Sequence, residues 1–221
     1  MEAIPILVQN KESIKVFFGA IVLLICLIIT LKSDRLFKLS SHQGIRHFRN
    51  AFFFYGLAFL SRYIIGSYYN PYNLSIIFFE FFLIVGGFFL LHSLLWRRFR
   101  HIERGYTSSL LSPITFVFYI MAIVLVLLDL TWRAYFFMFL SQMIIFLAAS
   151  IISYNNFRKK PRKFFPKFYF VAMLLSLVAW ILNALAALML NWNKGVLSGV
   201  YLINIVVFLL FWIGIMKVTK Q

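Results

Sequence analysis

Long apolar runs broken by short basic connections set the pattern of this chain. Seven runs are long enough to cross a hydrocarbon core of roughly 30 Å at about 1.5 Å per residue. They fall at Ile14–Leu31, Phe48–Gly66, Leu74–Trp96, Pro113–Leu128, Ala134–Ser153, Phe168–Leu190 and Val196–Met216. The stretch from Arg46 to Arg104 shows the repeating unit: basic connection, apolar helix, uncharged turn, apolar helix, basic connection. Ser67–Asn73, Asp129–Arg133 and Asn191–Gly195 are the short turns. Asn70-Pro71 and Asn193 with Gly195 supply their turn chemistry, so neighbouring helices are expected to pair as antiparallel hairpins. Pro113 suits the first turn of the fourth helix, where its missing N–H has no partner to lose. The pattern predicts an all-α, polytopic membrane protein, with one seven-helix transmembrane domain over residues 1–221.

Charge sets the expected orientation. The connection after the first run holds Lys32, Arg35, Lys38, Arg46 and Arg49, and that after the third holds Arg97, Arg98, Arg100 and Arg104. The connection after the fifth holds Arg158, Lys159, Lys160, Arg162, Lys163 and Lys167, and the tail adds Lys217 and Lys220. The intervening turns hold few basic residues. Basic connections stay on the cytoplasmic side, so the N-terminus is expected outside and the C-terminus inside, in a multi-pass protein of the cell membrane.

Composition excludes the soluble readings. The chain is 63% hydrophobic and only 13% charged, against roughly 25% charged in ordinary globular proteins. A net charge of +16 would point to nucleic acid in a soluble chain. Here the basic residues lie between spans, so nucleic acid is not an expected partner. The expected partners are membrane lipids, through anionic headgroups on the cytoplasmic side, and another membrane protein or a second copy. The cluster Arg158, Lys159, Lys160, Arg162 and Lys163 is the expected lipid or partner face, worth about 1 kcal/mol per charge. Topology alone also accounts for it. Cys26 is the single cysteine, which leaves no internal disulfide or thiolate metal cluster. The first run is long enough to span and no small-residue cleavage pattern follows it, so it reads as a helix rather than a leader.

A shift of 121 residues lays helices 1–3 on helices 5–7 without a gap: Ala51 falls on Ala172, Ala58 on Ala179, Arg62 on Asn183 and Arg46 on Lys167. A parallel 3+1+3 repeat, with helix 4 as the inverting linker, would produce this. Coincidence enforced by bilayer thickness would produce it too.

Ionisable groups at membrane depth are the default functional candidates. Arg62 and Glu80 sit at similar depth near the outer ends of helices 2 and 3. They form a salt bridge pinning two helices, or a polar pocket open to the outside, or Arg62 reaches the headgroups alone. Asp129 and Arg133, four apart around Trp132, read as a surface clasp. Asn183 and Asn204 are amides in apolar runs, with hydrogen bonding between helices expected at roughly 0.6 kcal/mol. Arg62, Glu80, Asp129, Arg133, Asn183 and Tyr201 together form the candidate intramembrane polar cluster. His92 in helix 3 reads as a lone hydrogen-bonded histidine, with His42, His47 and His101 in basic connections. None has acidic or thiol neighbours at ligand spacing, so no metal is expected. Gly86-Gly87 permits a close helix crossing. No motif for catalysis, phosphate binding or a cofactor is present, and no lysine lies midway along helix 7 to carry retinal. An enzyme is not expected.

The run G-I-R-H-F-R-N-A-F-F-F-Y-G-L-A-F-L-S-R-Y, from Gly44 to Tyr63, resembles a segment of uncharacterised seven-helix integral membrane proteins of archaea and bacteria. That resemblance implies the topology and no activity. The 3+1+3 pattern also resembles the SWEET-type sugar transporters. Those place prolines within core helices, whereas Pro5, Pro71, Pro113, Pro161 and Pro166 here lie in connections or at helix ends. The expected function is a non-enzymatic ligand-sensing or partner-binding (signalling or scaffold) module with a basic cytoplasmic face; the alternative is a small-solute or ion-coupled transporter with an outer vestibule near Arg62 and Glu80. With the expected orientation, a fluorescent protein fused after Gln221 emits from the cytoplasm, and alkaline phosphatase at the same place stays inactive. Active phosphatase would reverse the topology.

Overall fold

The computed structural model describes residues 11–66, 72–99, 110–132, 135–159, 164–189 and 194–219. Among them there are seven helices and no strand. α1 runs Lys11–Ser40 and α2 Gln43–Phe59, the latter continued by a π-helical turn over Leu60–Ile65. α3 is Tyr72–Phe99, α4 Pro113–Trp132, α5 Phe136–Lys159, α6 Phe164–Leu188 and α7 Lys194–Thr219. All but α2 are long and apolar enough to cross a bilayer. The chain is an integral membrane protein.

α2 departs from the plain second span expected over Phe48–Gly66. The π turn divides it, and it carries Arg46, His47, Arg49, Asn50 and Arg62 along its length. An extra residue per turn breaks the usual i→i−4 ladder and re-aims the side chains beyond it. Other helices outrun the apolar stretches that announce them. α1 was expected to end at Leu31 but continues to Ser40, because Asp34 pairs with Lys38 one turn on, at 3.1 Å, and with Arg49 of α2. α4 starts as expected at Pro113, with the Ser112 hydroxyl accepting the Thr115 N–H at 3.3 Å. α5 runs on past Ser153 to Lys159.

Six helices form a closed ring, α1–α2–α3–α5–α6–α7 and back to α1. α4 leans on α3 and α5 from outside and turns Phe116, Val117, Ile120 and Leu127 outward, as a lipid-facing helix does. The starts of α1, α3, α5 and α7 and the ends of α2 and α6 line one cavity, so the first four run one way through the ring and the other two run back. The side they share is called the Arg62 end below.

Small residues set the tightest crossings. Gly86 of α3 lies against the Ala51 carbonyl of α2, where a methyl group would come within 3.2 Å of the oxygen. At Gly19 of α1 a methyl group would fall 2.2 Å from the Tyr63 Cβ in the π turn. The Tyr63 Cβ is fixed by its backbone and cannot swing aside, so the glycine is required for α1 to seat on the turn. Gly19→Val is expected to separate α1 from α2 at a cost of about 1–3 kcal/mol. The check is a clearly lower melting temperature in detergent. Gly199→Ala, whose Cβ would meet nothing within 4 Å, serves as the silent control.

Candidate functional site

The ring encloses a cavity of about 450 Å³, within the range of small-molecule sites. Gly66 and Phe52, both in its wall, are separated by about 20 Å of helix, so the cavity reaches past the middle of a roughly 30 Å core. Both halves of the chain contribute. Lys15, Tyr55, Arg62 and Ser75 come from α1–α3, and Tyr135, Ser176, Asn183, Tyr201 and Asn204 from the start of α5 to α7. Among the described residues of the lining two are cationic and none is acidic.

The π turn brings Arg62 into this space. Its guanidinium lies over the ring of Phe79 at 5.3 Å and that of Tyr135 at 5.8 Å. Each such contact contributes about 0.5–1 kcal/mol, more when water is excluded. Tyr135 adopts φ 53° immediately before α5, a left-handed conformation that costs a non-glycine residue of order 1 kcal/mol. The ring it aims at Arg62 shows what that strain secures. Beside them Phe18 stacks on Tyr201 with centroids 4.3 Å apart, and Tyr63 meets Tyr201 at 6.3 Å.

Deeper in the cavity, Asn183 of α6 and Asn204 of α7 exchange hydrogen bonds. Each side-chain NH₂ donates to the other's carbonyl, at 3.2 and 3.3 Å. Asn183 also donates to the Ala179 carbonyl at 2.7 Å. The Tyr55 hydroxyl is buried at the cavity wall and has no hydrogen-bond partner among the described residues. At the far end the space closes on four rings. Phe48 and Phe52 are 4.8 Å apart, Phe48 and Tyr169 6.0 Å, Phe52 and Phe211 5.2 Å, and Tyr169 and Phe211 6.3 Å.

The chain is similar to an uncharacterised protein of Archaeoglobus fulgidus, 27% identical over 75% of each chain. No family model matches the chain. No solved structure matches it.

Of the polar cluster expected from the sequence, Arg62, Asn183 and Tyr201 share the cavity. Glu80 and Asp129 are buried outside its lining. Arg62 and Glu80 do not pair: no salt bridge joins them, whereas Asp34 pairs with Lys38 and Arg49. Helical geometry explains this, since Phe79 faces Arg62 and Glu80 is turned about 100° away from it on α3. Asp129 is buried rather than at the surface. Its two carboxylate oxygens accept the N–H groups of Phe137 and Met138, at 2.8 and 2.7 Å. A negative charge placed on a helix N-terminus in this way ties α4 to α5. Arg133 lies outside the described residues.

The histidines also differ from expectation. His47 belongs to α2 rather than to a basic connection and is fully buried, 4.2 Å ring to ring from His92. His92 is therefore not alone. His42 packs on Trp96, and His101 lies outside the described residues. Of the basic cluster, Arg158 is exposed on α5 and Lys159 ends that helix, while Lys160, Arg162 and Lys163 lie outside the described residues.

Sequence reasoning missed Lys15, Tyr55, Tyr63 and Tyr135 as wall residues, and it missed the π turn. Tyrosines inside apolar runs were the available signal, because a phenol at membrane depth needs a polar neighbour. Replacing Asn183 alone with Leu leaves the Asn204 amide without its partner, so a drop of roughly 1 kcal/mol in stability is expected. Replacing both amides together should cost less than the sum of the single changes. A double-mutant cycle read by thermal unfolding in detergent checks the coupling, and additive losses would show the pair to be idle.

Proposed function

We propose that the protein is a small-solute transporter built from two like halves, with the central cavity as its binding site. One observation carries this reading: wall positions recur in pairs at the 121-residue offset. Phe18 with Phe139, Tyr55 with Ser176, Phe59 with Trp180, Arg62 with Asn183 and Leu83 with Asn204 all line the cavity. Ring packing follows the same offset. Phe18 meets Phe59 at 5.8 Å between α1 and α2, and their counterparts Phe139 and Trp180 meet at 6.2 Å between α5 and α6. Phe48 and Tyr169, counterparts of one another, touch in the closed end of the cavity. The ring order supports it as well, since exchanging α1–α3 with α5–α7 leaves the sequence of neighbours unchanged. This is a parallel 3+1+3 repeat with α4 as linker, and repeat interfaces are where such transporters hold their solute.

In this reading α2 completes a seven-span topology. The Arg62 end faces outside and the basic connections face the cytoplasm, where the exposed Arg158 meets anionic headgroups. The Arg62 end is then the vestibule, and the Phe48–Tyr169 floor is the inner barrier. No catalytic role is assigned to any residue. The sensing module is the second reading, favoured only by the closed floor: it needs a pocket open on one side.

Access to the cavity separates the two. In a Cys26→Ala background, Asn204→Cys places a thiol about 15 Å along α7, near mid-depth. A transporter that alternates exposes that thiol to a membrane-impermeant maleimide from both faces, in right-side-out and in inverted vesicles. Labelling from a single face would leave the sensing module standing and remove the transporter.

A further inference from the structure

We propose that the cavity selects a small aromatic carboxylate bearing a hydroxyl group at its far end, with the carboxylate on Arg62 and the hydroxyl at Tyr55. The inference rests on reading the cavity as a solute site and adds the chemistry of the solute.

Arg62 is the first observation. Its guanidinium is covered on its faces by Phe79 and Tyr135, and its N–H edge reaches the Tyr63 side chain, which leaves other N–H groups of the five-donor fork to bind a ligand. No carboxylate of the described residues bridges it, and no acidic residue is among the described lining. A half-buried guanidinium with no carboxylate bonded to it is costly at membrane depth. A planar carboxylate answers its five-donor fork with two parallel hydrogen bonds, which an ammonium or a neutral hydroxyl cannot.

The second observation is independent. The Tyr55 hydroxyl sits in the wall with no partner among the described residues, whereas buried polar groups in proteins normally find one. Tyr55 of α2 and Arg62 of the π turn are seven positions apart, roughly 10 Å of axis, and both line the cavity. A ligand reaching both carries a carboxylate at one end and a hydrogen-bonding oxygen several ångströms away. Between them the wall is aromatic, with Phe52, Phe59, Phe139 and Trp180 among its residues. Inorganic anions would leave that surface unfilled, while a flat ring packs on it in offset or edge-on contact. Sugars would leave Arg62 without a counter-charge.

The test uses the full chain in lipid nanodiscs, with 4-hydroxybenzoate, benzoate, 4-hydroxybenzamide and 4-hydroxybenzylamine as probes, read by calorimetry and by the shift in melting temperature. 4-Hydroxybenzoate is expected to bind at least tenfold more tightly than the amide, and the amine is expected not to bind. Arg62→Gln abolishes the preference for carboxylate over amide, and Arg62→Lys retains part of it. Tyr55→Phe removes a buried orphan hydroxyl, so the unliganded protein is at least as stable as wild type. It binds 4-hydroxybenzoate about fivefold more weakly and benzoate as before. Should Arg62→Gln fail to fold, the comparison of probes on the wild-type protein and on Tyr55→Phe still decides.

Equal binding of amide and carboxylate overturns the proposal, as does the absence of binding by either carboxylate. An unchanged preference in Arg62→Gln overturns it too, and so does an equal loss for both carboxylates in Tyr55→Phe. Two-sided labelling of Asn204→Cys with no carboxylate bound would defeat this ligand class and keep the transporter. Carboxylate binding with one-sided labelling would do the reverse.

Discussion

Peptide groups in hydrocarbon have no water to turn to, so a helix there can depart from regular geometry only where other protein encloses it. The π turn at Leu60–Ile65 is such a departure, and α1 and α3 enclose it. Its cover is tight: α1 seats on Tyr63 only because residue 19 has no side chain. In return the turn swings Arg62 into the ring rather than toward lipid. Lose that enclosure and the loosened backbone hydrogen bonds have nowhere to go. The closed ring of six helices is the arrangement that keeps α2 covered on both flanks.

The same solvent poverty decides how each polar group is held. Asp129 is neutralised by two backbone N–H groups at the start of α5, which use the helix's own positive end. Arg62 is held by two aromatic faces and the Tyr63 side chain, a weaker arrangement that leaves it N–H donors to spare. Asn183 and Asn204 satisfy one another. The first is structural, with both oxygens occupied. The second has capacity to spare. Asp34, toward the ring's other end on α1, uses the familiar carboxylate–cation pairing, with Lys38 and Arg49.

Aromatic packing supplies much of the remaining cohesion. Phe54 lies parallel to Phe89 between α2 and α3 at 5.3 Å, and the cavity floor is four rings from α2, α6 and α7. In lipid the hydrophobic effect does not drive helices together, so close packing and these oriented ring contacts take its place. Ring contacts change partners without leaving a donor or acceptor stranded. That property suits the closed end of a cavity in a protein proposed to open on either side.

The sequence alone determined that this chain lies in a membrane, that its structure is helical, and close to where most helices begin. Those features follow from the length of apolar runs, and length is a one-dimensional property. It also grouped Arg62, Asn183 and Tyr201 in one polar cluster, because depth is counted in residues. Which face each helix turns inward was another matter. Lipid is as apolar as a protein core, so a helix apolar all round gives no sign of its buried side. That is why Phe79 rather than Glu80 meets Arg62, why Asp129 turns to α5, and why His47 finds His92. The extra residue in the π turn has no signature in hydropathy either. The tertiary structure decided these things through the close approaches at Gly19 and Gly86, because rotation about a helix axis is fixed by what its neighbours leave room for.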